Sequence, residues 1–156
     1  MSTLQQQHSK IWESYIRKEC RALQKGELAV VDKNWEAPRI PGEKRPRETS
    51  KPDFSGFRFD GRHVVFEAKA TLSTTSFSFS LIVDHQAEHL ATAKEYGAIS
   101  FVYVLDGKRR KWVIPYQAIL ATEGRKSFPF DNDTYQKQRG ETWLDTWARL
   151  EMRGLA

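Results

Sequence analysis

Residues 52–69 read PDFSGFRFDGRHVVFEAK. Phe54, Phe57, Phe59, Val64, Val65 and Phe66 favour strands, and Asp60-Gly61 supplies a turn between them, so the stretch predicts a β-hairpin. A hairpin folds its two ends together, which brings Asp53 beside Glu67, Ala68 and Lys69. The loop length decides which face Asp53 takes. A two-residue Asp60-Gly61 turn pairs Phe59 with Arg62 and Asp53 with Ala68. Because side chains directly opposite share a face, that register turns Asp53 away from Glu67 and Lys69. A three-residue loop, Phe59-Asp60-Gly61, with Gly61 in the left-handed position of a G1 bulge, changes the parity. Asp53 then faces Glu67, with Lys69 one step along the same face. The odd-length loop is the expectation.

Two carboxylates on one face suit a hard divalent ion such as Mg²⁺, which takes oxygen ligands and keeps several waters. Such an ion generates hydroxide and neutralises a phosphate's developing charge. Lys69 adds a point charge for the attacking water or a phosphate oxygen. The competing reading is a cross-strand ion pair on a solvated sheet face, which contributes little to stability.

Pro52-Asp53 followed by Glu67-Ala68-Lys69 resembles the PD-(D/E)xK nuclease signature, which by itself is short. The wider run GRHVVFEAKATLSTTSFSFSLIVDHQAEHLATAKEYGAISFVYVL resembles the RecU-type Holliday junction resolvases of bacteria and their phages. Those carry a Thr-Ser-Phe stretch after the Glu-Ala-Lys strand, as in Thr75-Ser76-Phe77. A helix opening His-Gln-x-Glu-His follows, as in His85-Gln86-Ala87-Glu88-His89. The good match covers roughly residues 53–105. The resemblance implies a mixed central β-sheet flanked by helices, α/β in class, on a PD-(D/E)xK core. It also implies a homodimer that nicks four-way DNA junctions, leaving 5′-phosphate and 3′-hydroxyl ends. Asp53 and Glu67, with the Ala68 carbonyl, would hold Mg²⁺, for which Mn²⁺ substitutes. Lys69 would act on the water and the phosphate, with Gln86 and a first-helix glutamate completing the site. Family chains are usually longer at the N-terminus, so partner contacts carried there are expected to be lacking here.

The 156 residues fit one domain, 1–156. Hydrophobic residues make up 39% and the formal charge is +5, so a compact core and a polyanionic partner are both expected. The single cysteine, Cys20, excludes an internal disulfide framework. No apolar run approaches about 18 residues, and MSTLQQQHSK has no signal-peptide core. A soluble, cytoplasmic protein that does not enter a membrane is expected.

Residues 9–24 predict a helix: Trp12, Ile16, Cys20 and Leu23 recur at helical spacing, with Gly26 just past the end. Glu13 and Glu19 lie about 60° to either side of Ile16 on the helical wheel. Periodicity does not choose between them; the resemblance favours Glu13. Residues 28–35 read as a strand. Residues 36–52 carry Pro38, Pro41, Pro46 and Pro52 among Arg39, Lys44, Arg45, Arg47 and Lys51. This stretch resists regular structure and is expected to neutralise DNA phosphates as a projecting basic loop; in RecU-type proteins a stalk occupies the region. A solvated loop whose Glu36, Glu43 and Glu48 offset its charge is the alternative.

Thr75 and Ser76 offer hydroxyls to phosphates, and a purely structural loop reads equally well. Phe77, Phe79 and Leu81 alternate as in a half-buried segment. Asp84 is expected to cap a helix closed by Gly97. His85 and His89 share a face of it without a third zinc ligand, so DNA contact or helix packing is the better reading. Residues 99–105 predict a strand buried on both faces. Lys108, Arg109, Arg110 and Lys111 follow the Asp106-Gly107 turn, either gripping DNA or solvated. Pro115 fits the first turn of a short helix, and residues 122–140 read as loop. Trp143, Trp147 and Leu150 form one helical stripe, for the core or for a subunit interface. Two other functions stay open: a repair or restriction-like nuclease on ordinary duplex, and a junction-binding protein without catalysis.

Overall fold

A computed structural model describes residues 3–34, 41–42, 51–122 and 124–156. Its elements are α1 (Leu4–Lys25), β1 (Ala29–Lys33), β2 (Phe54–Arg58), β3 (His63–Ala70), β4 (Ser76–Ser78), α2 (Asp84–Glu95), β5 (Ile99–Leu105), β6 (Lys111–Pro115), α3 (Tyr116–Leu120), β7 (Ser127–Pro129) and α4 (Trp143–Met152). Five strands form one mixed sheet in the order β1-β2-β3-β5-β6. Only β3 and β5 run parallel. A parallel step needs a crossover, and α2 supplies it. The fold is therefore a mixed sheet flanked by helices.

α1 starts five residues before the predicted Ser9. Thr3 and Gln6 close a capping box there, a signal independent of apolar periodicity. The predicted stripe of Trp12, Ile16, Cys20 and Leu23 is buried. Trp12 also donates its indole N–H to the Tyr103 carbonyl at 3.0 Å, tying α1 to the middle of the sheet.

Two apolar cores lie on the two faces of the sheet. One joins α1 and α4 to Phe66, Phe101 and Tyr103. Trp143, Trp147 and Leu150 point into it, so the α4 stripe caps the core. The other gathers Val65, Val102, Val104 and Ile114 under Leu90, Phe77 and Phe128. β5 is buried at every position, as its unbroken apolar run predicts.

The β2–β3 register pairs Phe54 with Phe66 and Phe57 with His63. Arg58 N donates to Arg62 O at 2.9 Å, so Phe59, Asp60 and Gly61 form a three-residue loop. Gly61 has φ +82°, the left-handed conformation that a G1-type loop requires. The odd-length loop is the one formed.

Three local expectations are corrected. Asp84 is the first residue of α2, after Val83 at the cap, which has no capping side chain. Pro115 ends β6 and caps α3, one residue before its first turn. Residues 122–140 are not all loop: β7 pairs with β4 in a two-stranded sheet, Phe77 opposite Phe128. Asp106 is more than a turn residue. Its buried carboxylate accepts from Lys108 N, Arg110 N, Arg110 Nε and Trp112 Nε1 at 2.6–3.1 Å. Arg110 is thereby held, while Lys108 and Arg109 are exposed.

Candidate active site

The loop parity dictates the site. Asp53, one residue before Phe54, falls opposite Glu67, one residue after Phe66. Its Oδ2 accepts from Ala68 N at 3.0 Å. Asn34, just past β1, fixes the entry to β2. Its backbone N–H donates to Asp53 O at 2.9 Å, and its amide donates to Pro52 O at 2.7 Å and Ser55 Oγ at 2.9 Å. Nothing in the sequence pattern singled out Asn34, because these bonds bridge β1 to a distant part of the chain.

Glu67 has no solvent exposure. Burial, then the charge of Asp53 beside it, pushes its carboxyl up to about 9, against the pull of Lys69. Its Oε2 accepts from Gln86 Nε2 at 3.0 Å, while its Oε1 is buried without a hydrogen-bond partner among the described residues. Gln86, in the first turn of α2, accepts Lys69 Nζ on its Oε1 at 2.8 Å. Val83 N donates to the same oxygen at 3.3 Å. One amide thus joins the lysine, the carboxylate and the start of a helix. Asp53, Glu67, Ala68, Lys69 and Gln86 are brought together.

Glu13 and Glu19 separate. Glu13 lines a cavity of about 320 Å³ with Lys33, Asp53, Ala68 and Lys69. Lys33 and Arg17 hold it at 2.5 and 2.9 Å. Burial raises its pKa, but those hydrogen bonds and charges outweigh it and keep the carboxyl below the ordinary range. Glu13 thus borders the site without joining the carboxylate pair: among the described residues no three His, Cys, Asp or Glu side chains group together. The same holds for His85 and His89, whose rings lie 6.5 Å apart. Glu19 points the other way. It accepts Tyr103 OH at 2.8 Å and Trp143 N at 3.0 Å, and is a core residue.

Thr75 is exposed and Ser76 half-buried, where Ser73 Oγ accepts from both their N–H groups. Lys51 is exposed. Arg39, Lys44, Arg45 and Arg47 lie outside the described residues.

The mixed sheet flanked by helices, with its antiparallel hairpin setting Asp53 against Glu67-Ala68-Lys69, has the arrangement expected from the PD-(D/E)xK signature. The model of the Recombination protein U family matches residues 2–142. The chain belongs to that family. It is 40% identical over 58 residues to the Holliday junction resolvase RecU of Bacillus pumilus (strain SAFR-032), covering 37% of this chain and 28% of that protein. It is 33% identical over 90 residues to the Holliday junction resolvase RecU of Latilactobacillus sakei subsp. sakei (strain 23K), covering 53% and 42%. The matched stretch spans less than half of either relative. The structure of the Holliday junction resolvase Hjc of Archaeoglobus fulgidus gives a TM-score of 0.48 at 18% identity, over 79% of this chain and 90% of that one.

Proposed function

We propose that this chain is a single nuclease domain, a metal-dependent endonuclease that resolves four-way DNA junctions by paired symmetric nicks. The observation that carries the reading is the convergence of Asp53, Glu67, Lys69 and Gln86 at one end of the hairpin. Family membership supplies the junction: the relatives' names say that they act on Holliday junctions.

The donor set fits a divalent cation. A buried carboxylate with one orphaned oxygen, packed against a second carboxylate, gains most from a cation placed between them. Asp53, Glu67 and the Ala68 carbonyl would hold Mg²⁺, with Mn²⁺ able to replace it. When bound, such an ion supplies Lewis acidity and lowers the pKa of water. The Lys69 ammonium stands beside the carboxylates, where it orients water and offsets charge on the pentacovalent phosphate. Gln86 fixes that ammonium by accepting a hydrogen bond from it on Oε1. Glu13, at the rim with Lys33 and Arg17, would complete the site. Water attacks phosphorus, the bond to the 3′ oxygen breaks, and that oxygen takes up a proton. The products are a 5′-phosphate and a 3′-hydroxyl.

A symmetric junction needs two opposed nicks, which a twofold homodimer delivers. Residues 36–52 would project as a basic stalk, with Arg39, Lys44, Arg45, Arg47 and Lys51 on phosphates and Thr75 and Ser76 beside the cut strand. A protein acting on chromosomal or phage DNA would work in the cytoplasm. No described helix is long and apolar enough to cross a membrane.

The test is cleavage of a labelled four-way junction against linear duplex of the same sequence, with Mg²⁺, with EDTA, and with Asp53→Ala. Paired nicks on the junction alone, lost with EDTA and in the variant, are expected. Equal cutting of duplex would turn the reading to a repair or restriction-like nuclease. Tight binding without cutting in either metal would leave a junction-binding protein.

A further inference from the structure

A second cavity, of about 570 Å³, opens beside the candidate active site and shares Lys33, Asp53 and Phe54 with it. Its walls come from the C-terminal half of α1, the end of β1 and residues 51–54. Arg17, Arg21, Lys33 and Lys51 line it. Arg17 and Lys33 are already paired with Glu13. Arg21 and Lys51 are exposed, and among the described residues neither has an ion-pair or hydrogen-bond partner.

The helix sets the spacing. Glu13, Arg17 and Arg21 follow one another at every fourth residue, which climbs α1 by about 6 Å per step on one side. That stripe starts at the rim of the catalytic cavity with Glu13 and continues into the second cavity with Arg17 and Arg21. Lys51, immediately before Pro52-Asp53, lines the same cavity from another part of the chain. A guanidinium fork and an ammonium across an open cavity suit a phosphate group, which accepts from both.

The geometry points to this cavity as a second binding site, for a backbone phosphate of the DNA strand that continues from the one held at Asp53 and Glu67. Arg21 and Lys51 are its ligands. The inference rests on the nuclease reading. Its consequence is mechanical: a contact one wall away from the scissile phosphate fixes the strand's register without reading its bases.

The test measures binding of a labelled four-way junction and of a linear duplex across a salt series, in EDTA so that nothing is cut. Wild type is compared with Arg21→Ala, Lys51→Ala and the double variant. Lys18→Ala, an exposed lysine of α1 that does not line the cavity, removes the same charge and serves as the control. Each substitution in the cavity should lower the slope of log affinity against log salt by about 0.9, and the double variant by about twice that. The control should leave the slope unchanged. Slopes unaltered in Arg21→Ala and Lys51→Ala, or lowered equally by Lys18→Ala, overturn the site while leaving the nuclease reading intact. A wild type that binds neither DNA overturns both.

Discussion

Glu19 and Gln86 show how differently two polar side chains near one sheet are used. Glu19 is buried, and burial pushes its carboxyl up to about 7 against the help of Tyr103, Lys137, the Trp143 N–H and Lys111. The folded state therefore keeps a proton that the unfolded chain gives up near the ordinary value of 4.5. This contribution to stability is complete below about pH 4.5 and is lost as pH rises to about 7, on the order of 3 kcal/mol in all. Glu19→Gln keeps an acceptor for Trp143 N and cannot titrate, so its urea midpoint should fall less than the wild type's across that window, the remaining fall being that of Glu67. Gln86 instead ties Lys69 to Glu67. Gln86→Ala should slow single-turnover junction cleavage by roughly 10–100-fold, as loss of an orienting partner does, with the folded fraction by circular dichroism unchanged. The meeting of Asp53 with Glu67 and Ala68 was legible because hairpin parity and the Glu-Ala-Lys spacing are properties of the chain itself. The choice between Glu13 and Glu19 was not, because both sit equally far from Ile16, and only Tyr103 and Trp143 distinguish the two sides. Asn34 was invisible for a similar reason: its partners are Pro52, Asp53 and Ser55.

At the scale of elements, the hairpin depends on two glycines for opposite reasons. Gly61 has φ +82° and open space around it, so a side chain there meets only backbone strain. Gly61→Ala should lower stability by about 1–2 kcal/mol, the left-handed penalty. Gly56 has an ordinary conformation but no room: an added Cβ falls 1.9 Å from the Val30 carbonyl oxygen, which is backbone and cannot swing aside. Gly56→Ala must push β1 from β2 and should destabilise the protein far more than Gly61→Ala. Urea unfolding of the two variants side by side measures the difference, and equal midpoints would show that β1 yields freely. Elements with strong local signals were readable from sequence. α1 had its apolar stripe, β5 its unbroken run, and the hairpin its turn. The pairing of β4 with β7 was not, since three-residue strands carry little pattern and Ser76 meets Pro129 only through the tertiary fold. The Asp106-Gly107 turn was readable and forms, but the burial of Asp106 was not, since it comes from Trp112 and Arg110 closing over it.

At the scale of the whole molecule, the proposed activity makes a demand that one site cannot meet. Resolving a junction needs two cuts on strands of like polarity, and Asp53, Glu67 and Lys69 form one cluster per chain. A twofold pair supplies the second cluster in the symmetry-related position, so the two nicks should depend on two separate Asp53 side chains. Wild type and Asp53→Ala, mixed by unfolding and refolding together, should give three dimers in the proportions of random pairing. The mixed dimer keeps one complete site and should nick a junction once without resolving it. Nicked but unresolved junctions should therefore accumulate in the mixture, visible on a denaturing gel beside a native one. Sedimentation of the wild type should give twice the chain's 18.1 kDa. A monomer in sedimentation, together with paired cuts whose ratio to single nicks is unaffected by mixing, would show that each chain cuts alone and visits the two strands in turn.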